Sequence, residues 1–108
     1  MIDKQTVIDN LLAVAEELQD AELEAVDAEV ALLRTREILR QVENGILTSG
    51  KIEGKNERVR EATLAEMTHM ELDEVAVARV NAACAGAALR VQQQRLATWR
   101  AVAELLAN

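Results

Sequence analysis

Apolar residues recur along the first half of the chain in alternating steps of four and three. The series is Val7, Leu11, Val14, Leu18, Ala21, Ala25, Ala28, Leu32, Thr35, Leu39, Val42 and Ile46, and only Thr35 interrupts it. Such spacing puts every member on one face of a long α-helix. The spacing predicts helix 1 over residues 3–44, with Asp3 and Asp9 near the positive end of its dipole. Asn44-Gly45 reads as its stop, because both residue types tolerate the left-handed conformation that closes a helix. Residues 45–55 hold Gly45, Gly50 and Gly54 with Thr48 and Ser49, the one loop-like composition in the chain. Asn56 then suits an N-cap, and with no proline anywhere nothing stops helix 2 before residue 107. That second helix spans roughly 50 residues, or about 75 Å.

The fold class is therefore all-α: a single domain over residues 1–108, built as a long antiparallel, coiled-coil-like helical hairpin. A turn centred near residue 50 puts the small-residue run Ala82–Ala88 opposite Leu11, Leu12, Val14 and Leu18. It also puts Ala21, Ala25 and Ala28 opposite Leu72, Val75 and Val77. Large side chains then oppose small ones in both stretches. Charge fits the same arrangement. Residues 1–30 hold nine acids against Lys4, whereas residues 75–108 hold Arg79, Arg90, Arg95 and Arg100 against Glu104. Antiparallel packing sets the acidic half beside the basic half, which selects orientation more than it stabilises.

Two helices leave apolar surface over. Helix 2 is apolar nearly all round from Val75 to Leu89, and helix 1 covers only one side of it. A second apolar flank on helix 1 runs through Leu12, Val26 and Leu33. With Val77, Val80, Cys84, Ala87 and Val91 these residues make the expected oligomer interface. The expectation is a homodimer of hairpins packed as a four-helix bundle.

Composition narrows the function. Half of the 108 residues are hydrophobic, which excludes an acidic disordered chain. Phe, Tyr and Pro are absent, and Trp99 is the single aromatic, read as packing near the open end about opposite Met1. The net charge of −7 argues against a general nucleic-acid coat. Cys84 is the one cysteine and fits a reducing compartment, as a small packing residue rather than a nucleophile. Residues 1–4 lack a secretory start, and no stretch of 18 apolar residues exists. The reading is cytoplasmic, with no membrane partner, no cofactor and no enzyme activity. No Ser/His/Asp set, phosphate loop or paired cysteine motif is present.

Two constellations carry alternative chemistry. Lys51, Lys55, Arg58 and Arg60 cluster at the predicted tip, joined by Arg34, Arg36 and Arg40 of helix 1. Residues 34–60 hold seven bases against four acids in an otherwise acidic protein, and a helix N-terminus adds phosphate-directed donors. Phosphate or nucleic acid is the ligand that this tip would take, although it lacks the stacking aromatics of single-strand binders. Glu66 and His69 form an E-x-x-H at helical metal spacing. In a dimer two copies, with Glu29 bridging, would outline a di-metal oxidase centre. The plainer reading is a solvated histidine among acids.

Gly54, Lys55, Asn56, Arg60 and Ala62 form G-K-N-x-x-x-R-x-A, followed by Leu64. The segment resembles a group of small helical proteins of bacteriophages and prophages that carry this motif between two long helices. The resemblance covers about a tenth of the chain. It implies a phage origin, a host-cell cytoplasmic setting and a role linked to nucleic-acid metabolism. It supplies no catalytic residues. Together these observations point to a non-enzymatic oligomeric interaction or scaffold protein with a macromolecular partner, in nucleic-acid metabolism or host takeover.

Overall fold

The computed structural model describes residues 2–50, 52 and 56–107. It is all-helical, with no strand among the described residues. The helices are α1 (Lys4–Thr48), α2 (Glu57–Met67) and α3 (His69–Ala107). Asp3 caps α1: its carboxylate accepts from the Thr6 N–H at 2.7 Å, and its carbonyl accepts from the Val7 N–H at 3.2 Å. Asn56 caps α2 from an extended conformation, accepting from the Val59 N–H at 2.9 Å.

α1 does not stop at Asn44-Gly45. It continues to Thr48, because Gly45 stays helical and the left-handed conformation falls on Gly50 (φ 71°). The Thr48 hydroxyl donates to the Asn44 carbonyl at 2.9 Å and the Ser49 hydroxyl to the Ile46 carbonyl at 2.6 Å. These bonds occupy the last-turn acceptors, which a helix end otherwise leaves open.

The single helix expected over 56–107 is divided at Thr68 (φ −112°, ψ 18°). Backbone bonding runs on through it: the Thr68 N–H donates to Leu64 at 3.0 Å, and the Leu72 N–H donates to Thr68 at 2.9 Å. The Thr68 hydroxyl also donates to the Leu64 carbonyl, at 2.8 Å. One carbonyl thus serves two donors, an arrangement that bends helices. Burial holds it there, since Thr68 is the one buried polar residue among those described.

The described chain forms two compact units, Met1–Asp27 with Ala83–Asn108, and Ala28–Ala82. In the first, the start of α1 packs antiparallel on the end of α3. Lys4, Val7 and Leu11 lie beside Ala103 and Leu106, the Glu17 carboxylate accepts from Arg95, and Ala21 lies beside Ala88. In the second, Leu32, Val75 and Ala78 form the core, with Leu39 and Ala82 packed on it, and Glu43 lies beside Leu64 and Thr68.

These pairings correct the register expected from a turn at residue 50. Partners lie about ten residues further along α3, because α1 runs on past Gly45 and the reversal comes later. Ala21 therefore lies level with Ala88 rather than with Leu72 to Val77, and Val75 meets Leu32 rather than the alanines at 21–28. Trp99 is half-buried; Met1, its expected neighbour, lies outside the described residues, and Lys4 and Val7 already sit beside Ala103 to Ala107.

The predicted stripe of α1 is the seam. Val7, Val14, Ala21 and Leu32 are buried, and its other eight members, Thr35 included, are half-buried. α3 answers with its own 3–4 series: Val75, Ala78, Ala82, Ala85, Leu89, Gln92, Leu96 and Trp99, all buried or half-buried. The seam is narrow. Eighteen large hydrophobic residues among those described stay exposed, three times the six that form the buried core.

Candidate functional site

All eight residues of the expected interface are exposed: Leu12, Val26, Leu33, Val77, Val80, Cys84, Ala87 and Val91. Their positions on the helices differ. Leu12, Val26 and Leu33 each follow a seam residue (Leu11, Ala25, Leu32) by one position, about 100° round α1. Leu23 and Val30, which follow the seam residues Ala21 and Ala28 by two positions, join Val26 and Leu33 in a 3–4 series on the outward side of α1. Sequence reasoning missed those two, although the series 23, 26, 30, 33 carries the signal. Val77, Val80, Cys84, Ala87 and Val91 each follow a seam residue of α3 by two positions, about 200°. They line the back of α3 in an unbroken second 3–4 series. The eight residues thus lie on the outward sides of both helices, away from the seam.

Among the described residues the basic set is not gathered into one patch. Lys51 and Lys55 lie outside the described residues. Arg58 and Arg60 are exposed in the first turn of α2. Arg34 lies fourteen residues before the end of α1, about 21 Å along its axis, and some 120° round the helix from Arg40. Arg40 is engaged locally, donating to Glu37 at 2.8 Å. That hydrogen bond lowers the Glu37 carboxyl below its ordinary range and raises the Arg40 guanidinium above its own. Arg36 shares the Arg40 side of α1, so Glu37 is a carboxylate set into that part of the positive row.

The di-metal outline also comes apart. The His69 Nδ1 lies 3.1 Å from the Glu66 backbone carbonyl, so it faces the main chain of Glu66 and not its carboxylate. The α1 residue level with Thr68 is Glu43. Glu29 stands fourteen residues away from Glu43, about 21 Å along α1. The ten-residue shift in register is the cause. Among the described residues no group of three or more His, Cys, Asp or Glu side chains is placed to hold a metal ion.

The grooves between the helices are shallow. One of about 240 Å3 in the first unit is lined by Val7, Ile8, Leu11, Ala103, Leu106 and Ala107, with Lys4 as its charged side chain. It brings no nucleophile and base together. The chain matches no protein-family model, no curated protein and no solved structure. The feature with the most consistent chemistry is therefore the apolar back of α3. No helix among the described residues is long and apolar enough to cross a membrane.

Proposed function

We propose that this protein is a non-enzymatic, self-associating helical interaction module, with the homodimer as its working form. The supporting observation is the apolar series on the back of α3, where Val77, Val80 and Val91 are 61, 60 and 52 % exposed. A surface helix ordinarily turns charge to that side. A periodic apolar series there matches what a packed partner helix requires. The segment at 54–64, by its resemblance to the phage and prophage proteins, supports placing this role in phage nucleic-acid metabolism or host takeover. A macromolecular partner would then bind the assembled form. No observation favours the basic tip or a di-metal centre over this reading.

Sedimentation at micromolar concentration tests it, with a dimer or larger assembly expected. A well-folded monomer at that concentration overturns the proposal. Capture of partners from a host lysate by the intact protein, with and without nuclease, then separates a protein partner from a nucleic acid.

A further inference from the structure

The back of α3 carries enough pattern to specify how a second copy would lie on it. The inference rests on the self-association reading above. The series Val77, Val80, Cys84, Ala87 and Val91 has valine at both ends, a valine and an alanine inside them, and Cys84 at its midpoint. Run antiparallel on a second copy, Val77 would face Val91 and Val80 would face Ala87, so the patch is self-complementary about a two-fold axis.

The positions that flank the series decide the direction. On one side they are Glu74, Asn81, Ala88 and Arg95; on the other they are Ala76, Ala83, Arg90 and Ala97. All eight are exposed. Five of the eight are alanine or asparagine, so two backbones can approach closely. In an antiparallel pair centred near Cys84, each first-side flank meets the same flank of the other copy, run backwards. Glu74 then comes level with Arg95 of the second copy, twice by symmetry, where Arg95 also donates to Glu17 of its own chain. In a parallel pair the two kinds of flank meet, and Arg90 of each copy comes against Arg95 of the other. Opposite charges across a helix pair favour one orientation, and like charges count against the other.

We infer that the protein self-associates through the back of α3, antiparallel to a second copy, with the two-fold axis passing close to Cys84. The two Cys84 side chains lie near each other across that axis. Val77 of one copy lies near Val91 of the other, and the two Val77 residues are about 21 Å apart along the axis.

Cross-linking tests this directly. Val77→Cys and Val91→Cys are made separately in a Cys84→Ala background and treated with a short bismaleimide, alone and after unfolding and refolding together. All three positions are exposed, and circular dichroism checks that each variant keeps the parent helicity. The expected result is a species of twice the 11.9 kDa chain mass from the mixture and from unaltered Cys84. Neither variant alone should give it. Cross-linking of Val77→Cys with itself means a parallel pair and overturns the inference. A sedimenting dimer without any of these cross-links places the contact on another face and also overturns it, while leaving self-association standing. A monomer in sedimentation removes both.

Discussion

Val14→Ala measures the α1 seam directly. Val14 is fully buried, and the substitution removes two methyl groups at about 0.8 kcal/mol each. The hole left behind adds up to about 1 kcal/mol if the neighbours do not collapse. The better helix propensity of alanine returns about 0.5 kcal/mol. The net cost is about 2 kcal/mol, or a fall of roughly 10 °C in Tm for a chain of this size. Leu23→Ala is the control. Leu23 is 59 % exposed on the same helix, and truncation there should cost no more than about 0.5 kcal/mol. Urea unfolding followed by helical circular dichroism gives both values. Association raises apparent stability with concentration, so the comparison is made at one fixed chain concentration and repeated tenfold lower. A Val14→Ala protein within about 0.5 kcal/mol of the parent, or a Leu23→Ala protein just as weakened, would refute the assignment of the seam.

Three further outcomes follow from particular residues. Gly50→Ala should destabilise by about 1–2 kcal/mol, because its left-handed conformation (φ 71°) is costly for any residue with a Cβ. Gly45→Ala and Gly86→Ala should instead stabilise by up to about 1 kcal/mol each in thermal unfolding. An added Cβ meets nothing within 4 Å at Gly45, and at Gly86 only the Arg90 guanidinium at 3.7 Å. The hydrogen bonds from the Thr6 backbone N–H and Thr6 side chain hold the Asp3 carboxyl below its ordinary value. Its contribution to helix stability is thus present above the unfolded-state value near 3.9 and is lost as pH falls through the lower folded-state value. Asp3→Ala should be less stable than the parent at neutral pH, and the difference should vanish on acidification; a constant gap in unfolding midpoint across that range would refute the capping role.

The α1 seam was legible in sequence because a period-3.5 pattern states which face is inside, and all twelve positions obeyed it. Asp3 and Asn56 were legible for the same local reason: an N-cap is decided by one side chain and the next few N–H groups. Register was not. It depends on where the chain reverses, and Gly45 looks like a stop without being one. A glycine terminates a helix only where the backbone takes positive φ, and that falls at Gly50. A reversal delayed by five residues moves every partner by about ten, which is why the large-against-small match misled and why Glu29 lies far from His69. The division at Thr68 was equally hidden, because a threonine hydroxyl bends its helix only where packing holds it inward. At the candidate surface, exposure of all eight residues was foreseen. Their place on the outward side of α3 required knowing which α3 positions form the seam.

α2 contains no buried residue. The hydrophobic effect therefore does little to hold its amides, and they should open to solvent exchange at a small fraction of the free energy that protects those around Val14. A protease or an inserted peptide would meet less resistance at α2 than along the α1 seam. A reporter or a second binding domain grafted before Glu57 would ride on the protein without taxing the packing that keeps it folded.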